Sequence, residues 1–91
     1  MRKLKEIIRE GSEVQDRIWL IRHNFLKTTP QWDKVRPDLR KGALAVAKKV
    51  RAALGRAKAS RPKDDFAWGR LSGRLETLRW VMGDEWGNLD T

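Results

Sequence analysis

Residues 4 to 25 read LKEIIREGSEVQDRIWLIRHNF, and the spacing within them decides the fold. Leu4, Ile7, Gly11, Val14, Ile18, Ile21 and Phe25 recur at steps of three and four, with Ile8 beside them. Such steps keep apolar groups on one side of a helix and suit no strand. The expected helix runs from about residue 2 to about residue 26. Arg2 with Glu6, Arg9 with Glu13 and Glu13 with Arg17 are opposite charges at i,i+4 on its outer side. Gly11 lies on the apolar stripe, where a mid-helix glycine costs about 1 kcal/mol against alanine. A neighbouring element is therefore expected to pass closely there.

Outward from this helix, Lys27 to Arg36 is a connection with a short helical turn near 30–35: Thr29 can cap it, Pro30 suits its first position and Trp32 gives it something to bury. Pro37 forbids a smooth passage and opens the second helix, expected to continue to about Ala59. Its buried stripe reads Leu39, Ala43, Val46, Val50, Ala53 or Leu54, and Ala57. Ser60, Arg61 and Pro62 end it, and Asp64 or Asp65 caps a third helix over about 65–82. That helix carries a main stripe of Trp68, Leu71, Leu75, Leu78 and Met82. It carries a second on its reverse: Phe66, Gly69, Gly73, Thr77 and Trp80. Gly83 is placed to stop it in a left-handed conformation, and the tail GDEWGNLDT is expected to fold back on Trp86 and Leu89. The expectation is an all-α protein: one domain over 1–91, a small bundle of three main helices (about 2–26, 37–59 and 65–82).

Composition agrees. With 91 residues the chain can bury only about 60–68% of the surface its unfolded form exposes, so one modest core is expected. Charged residues reach 36%, tyrosine is absent, and strand-favouring residues never alternate over a run. Without cysteine there is neither a disulfide framework nor a thiolate metal site, which suits a reducing cytoplasm. The N-terminal MRKLKEIIREG begins like a signal peptide, but Glu6, Arg9 and Glu10 interrupt any apolar core, and no apolar run approaches the length of a membrane span. The reading is a cytoplasmic protein with no membrane partner.

The net charge of +9 is unevenly placed. Residues 1–33 carry 7 basic and 5 acidic side chains, residues 34–63 carry 11 and 1, and residues 64–91 carry 3 and 6. A segregated excess makes a local field that steers and holds a polyanion, where a uniform one speaks mostly to solubility. On the second helix, at about 100° per residue, Lys41, Ala45, Lys48, Ala52, Gly55 and Ala59 fall in one line. Arg40, Arg51 and Lys58 flank it on one side, Lys49 and Arg56 on the other, and Arg61 and Lys63 extend it. Lysines and arginines that neutralise phosphates release condensed counterions, and small residues between them let the helix backbone come close. Ala, Lys and Arg are also good helix formers on any solvated face, but such a face ordinarily mixes in acids, and Asp38 is the only one here.

Catalysis finds little to use. His23 is the only histidine, near the end of the first helix, where a solvent-facing or dipole-stabilised histidine is ordinary. Asp64 with Asp65 and Asp84 with Glu85 sit at helix boundaries as caps, and neither a dinucleotide fingerprint nor a phosphate loop is present. Neither an enzyme nor a resident metal or cofactor is expected. Of the five tryptophans, Trp68 reads as core. Trp19 and Trp32 read as boundary residues that close the bundle, and either one, exposed beside the basic surface, could stack on a base.

Two functions follow. The first is a nucleic-acid-binding protein, of DNA or RNA, using Arg40, Lys41, Lys48, Lys49, Arg51, Arg56, Lys58, Arg61 and Lys63. The second is a protein-interaction module docking through Phe66, Gly69, Gly73, Thr77 and Trp80, or holding an acidic protein. A homodimer would use that reverse face, and both uses could hold together in an accessory subunit of a nucleoprotein complex. Cover from within the monomer, by the first helix and the tail, is the reading that best serves a domain so short of apolar surface.

Overall fold

The computed structural model describes residues 1–83. Among them are five helices and no strand: α1 (Leu4–Leu26), α2 (Gln31–Lys34), α3 (Pro37–Leu54), α4 (Arg56–Ala59) and α5 (Asp65–Val81). The all-α expectation is met, with three long helices where the periodicities place them. The tail anchors Trp86 and Leu89 lie outside the described residues. No helix among the described residues is long and apolar enough to cross a membrane.

The chain divides into two compact units, Met1–Ile18 with Pro62–Thr91, and Trp19–Arg61. The first is built on the N-terminal part of α1 and on α5. Glu6 accepts a hydrogen bond from the Lys3 amide at 2.9 Å, so its carboxylate satisfies one of the amides that α1 leaves unpaired where it opens. Asp64 accepts from the Ala67 amide at 2.8 Å and caps α5. The buried apolar side chains here are Val14, Ile18, Leu71 and Leu75, all from the two main stripes. A Cβ built on the buried Gly11 would stand 3.3 Å from Met82 Cε, so the close neighbour at this stripe glycine is the tip of a side chain just beyond α5 and not a helix backbone. Gly83 stops the chain beyond α5 at φ 104°, its amide donating to the Trp80 carbonyl at 3.0 Å.

The second unit holds the end of α1 with α2, α3 and α4. The Thr28 and Thr29 hydroxyls donate to the carbonyls of Phe25 (2.6 Å) and Leu26 (2.8 Å), which also accept the amides of the same two threonines at 3.0 Å where α1 ends. Thr29 thus turns back to α1 and does not cap α2, whose N-cap is Pro30. The second expected helix is two: Gly55, at φ 82°, ends α3 and α4 restarts after it. A glycine at positive φ is the common helix stop, and this one outweighs the helix-forming residues on either side. The buried side of α3 also sits about one residue round from the expected stripe. Ala47 is fully buried, Ala43, Val50 and Leu54 are half-buried, and Leu39 and Val46 stay 55% and 48% exposed. Ala47 is buried because it lies on the side of α3 shared with Ala43, Val50 and Leu54, and its single methyl occupies little room there.

Candidate nucleic-acid interface

The +9 excess resolves onto one unit. Trp19–Arg61 holds 12 basic and 2 acidic side chains, and the remainder of the chain 9 and 10. Both acids of the basic unit lie beside arginines. Asp38 takes Arg36 Nη2 at 2.6 Å and Nε at 3.1 Å, and this hydrogen-bonded pairing holds its carboxyl below the usual range. Asp33 Oδ1 stands 4.0 Å from Arg40 Nη1.

Burial sorts the cations that the sequence groups together. Lys41, Lys48 and Lys49 are exposed on α3, as are Ala45 and Ala52 between them. Helical spacing puts all five on the side away from Ala47. No carboxylate interrupts this face from Lys41 to Ala52. Arg40 and Arg51 are half-buried and turned toward the packed side. Arg51 Nη2 donates to Asn24 Oδ1 at 2.8 Å, across from α3 to α1. The line expected to continue through Gly55 to Ala59 does not, because the helix is interrupted at the glycine; Arg56, Lys58 and Arg61 are exposed but beyond the break. Lys63 is exposed in the other unit.

Next to this face is an aromatic group whose centre is a histidine. His23 is only 5% exposed. Its ring stacks on Trp19, with centroids 5.0 Å apart and 6° between planes, and meets Trp32 edge-on at 5.6 Å and 85°. Burial first, then the charges of Lys27 and Arg51, push its pKa below the ordinary value. Its Nε2 is buried with no hydrogen-bond partner among the described residues. The expected solvent-facing, dipole-stabilised histidine is therefore corrected. Trp19 stands at i−4 from His23, so the two share a side of α1, and that spacing was the signal available in the sequence.

Trp32 also lines an open notch of about 330 Å3 with Pro37, Arg40, Lys41 and Leu44. The four α3 residues stand at i, i+3, i+4 and i+7, one side of the helix's first two turns. Leu44 and Pro37 take part in this notch without having stood out in the sequence as site residues.

The reverse face of α5 belongs to the other unit. Phe66 is 74% exposed, Gly69, Thr77 and Trp80 are exposed, and Gly73 is half-buried. The Thr77 hydroxyl donates to the Gly73 carbonyl at 2.9 Å, and Arg70 stands 6.0 Å over the Phe66 ring. A Cβ at Gly69 or Gly73 would meet no described side chain within 4 Å. Among the described residues no group of three or more His, Cys, Asp or Glu side chains is arranged to hold a metal ion. Neither a known protein family, nor a curated protein, nor a solved structure matches this chain.

Proposed function

We propose that this chain is a non-enzymatic nucleic-acid-binding protein that takes hold of the phosphate backbone with the exposed lysine face of α3. One observation carries the reading: Lys41, Lys48 and Lys49 stand in solvent around Ala45 and Ala52, with no acid among them, in a unit of 12 basic and 2 acidic side chains. Three lysines that neutralise phosphates release the cations condensed on the strand, which predicts a log–log salt slope of about −2 on single strands and −3 on duplex. The alanines allow the approach; the lysines supply the attraction and its ionic-strength dependence. A cytoplasmic location follows from that partner and from a chain that gains nothing from an oxidising compartment.

The test is titration of labelled single-stranded and duplex oligonucleotides at increasing salt. Lys41→Glu, Lys48→Glu and Lys49→Glu together should abolish binding and leave helical content unchanged. A flat salt dependence in the native protein, or no binding at low salt, refutes the reading. A second reading rests on the exposed Phe66 and Gly69 of α5: a protein-interaction module that docks this face on a partner or on a second copy. Sedimentation decides it, since a discrete dimer lost on Phe66→Asp or Gly73→Leu would support that use, and a monomer indifferent to both would remove it.

A further inference from the structure

The notch between α2 and the start of α3 combines two chemistries. Trp32, Pro37 and Leu44 give it an apolar lining, and Arg40 and Lys41 bring positive charge to the same cavity. Its volume of about 330 Å3 is at the small end of the range for small-molecule sites, roughly 300–1,000 Å3. It suits one planar group with an anion attached, and not an extended ligand.

The aromatic wall is set in advance. Trp32 lies at 85° to His23 with ring centroids 5.6 Å apart, and His23 is itself stacked on Trp19, so the three rings restrict one another. The backbone is fixed as well: the Trp32 amide donates to the Thr29 carbonyl and its carbonyl accepts from the Val35 amide, both at 3.2 Å. A ring already ordered loses little entropy when a ligand stacks on it. Of the two cations, Lys41 is exposed, and Arg40 is half-buried with Asp33 at 4.0 Å. A contact that long to an exposed carboxylate is weak, so a phosphate that makes short hydrogen bonds to the guanidinium can displace it.

We propose that this notch is a nucleotide subsite: one unpaired nucleobase lies against Trp32, Pro37 and Leu44, and the phosphate attached to it is held by Arg40 and Lys41. This rests on the nucleic-acid reading above and makes the protein a single-strand binder. A base inside a duplex is stacked and paired and cannot enter. An unpaired base offers a free ring face to an aromatic side chain, which is how single-strand proteins gain affinity without reading sequence.

The experiment alters the ligand first. The native protein is titrated by anisotropy with oligo(dT) and oligo(U), with each strand's abasic counterpart of equal length, and with a duplex. Abasic strands keep the phosphates and lose the rings. The expected result is binding about tenfold tighter to the base-carrying strand than to its abasic form, for at least one of the two sugars. Leu44→Glu, at an exposed helical position, should erase that preference with helical content unchanged. Trp32→Ala should do the same. Equal, salt-dependent binding of normal and abasic strands overturns the subsite and leaves the backbone reading standing. No binding of any strand at low salt overturns both. Since the abasic comparison uses the unaltered chain, it decides the matter even if Trp32→Ala fails to fold.

Discussion

Arg51 and Lys48 stand three residues apart on α3, and replacing each with alanine should separate structure from binding. Arg51 is half-buried and donates to Asn24 Oδ1 at 2.8 Å, so Arg51→Ala deletes the donor and leaves that amide oxygen to find water. A hydrogen bond from a charged donor is worth about 1.5–3 kcal/mol net. Partial exposure takes this toward the lower end, about 1–2 kcal/mol. At about 4–8 °C per kcal/mol for a chain of this size, the melting temperature should fall by about 4–16 °C. Lys48 is exposed, with alanines at 45 and 52 on the same side, so Lys48→Ala should keep stability within about 0.5 kcal/mol. Its effect is on binding: the log–log salt slope should shrink by about 0.7–0.9. Thermal melts followed by circular dichroism, with oligonucleotide titrations at four salt concentrations, measure both quantities on both variants. If Arg51→Ala melts like the native protein and loses the same slope as Lys48→Ala, then Arg51 leaves Asn24 to reach phosphate, and the division of cations by burial is wrong.

His23 makes stability depend on pH. Its folded pKa is lowered, so the unfolded chain binds the proton more readily, and the neutral ring's contribution is complete above the unfolded value of about 6.5 and lost as pH falls below it toward the folded value. Urea midpoints should drop through that window in the native protein and not in His23→Phe, and a native midpoint unchanged from about pH 7.5 to 5.5 would count against the buried, lowered histidine. Gly55→Ala meets no neighbour within 4 Å, so its cost is backbone strain alone, about 1–3 kcal/mol at φ 82° and ψ 167°, a region essentially reserved for glycine; a chain that melts higher and gains helical signal would show α3 and α4 joined without penalty. Gly11→Leu should overpack against Met82 Cε and cost about 1–3 kcal/mol. Gly69→Ala has open space and should stabilise by up to about 1 kcal/mol, so denaturation midpoints shifting in the same direction for both would contradict the tight contact between position 11 and Met82.

The long helices were legible because each carries a stripe at helical spacing, and the stops were legible where one residue type has one mechanism: Asp64 as a cap, Gly83 at positive φ. Gly55 was not, since a glycine among alanines and lysines reads equally as a small surface residue and as a stop. Only the positive φ decides it. The buried side of α3 was misplaced by about one position for a related reason. Leu39 and Val46 are the larger apolar groups, and hydrophobicity alone puts them inward, yet the helix packs by Ala47. Its neighbours on that side include Arg40 and Arg51, whose long stems can lie along a packed surface with the charge led elsewhere. Composition cannot separate such arginines from solvated ones, so Arg40 and Arg51 read the same as Lys41 and Lys48 until burial is known. The notch was partly visible, since Pro37, Arg40, Lys41 and Leu44 have the spacing of one helix face. What the spacing lacked was the partner wall: Trp32 comes from another element, and no local pattern announces which side chain will face it.

The same charges that favour a polyanion work against the free protein. A unit with 12 basic and 2 acidic side chains repels itself when compact, and its two acids lie beside Arg36 and Arg40, so they do little for the three lysines of the α3 face. Nothing on that face from Lys41 to Ala52 neutralises them. Added salt screens the repulsion and so steadies the unbound protein, while on the proposed reading it would lower the free-energy gain of counterion release that drives binding. One charge distribution thus responds to ionic strength with opposite signs in the two states. A phosphate backbone laid on Lys41, Lys48 and Lys49 would relieve the strain that salt only screens. A base held against Trp32 would fix where along α3 that backbone must run. An anion without a ring could satisfy the lysines but would leave the Trp32, Pro37 and Leu44 wall unused, and that wall is what points from polyanions in general to an unpaired strand.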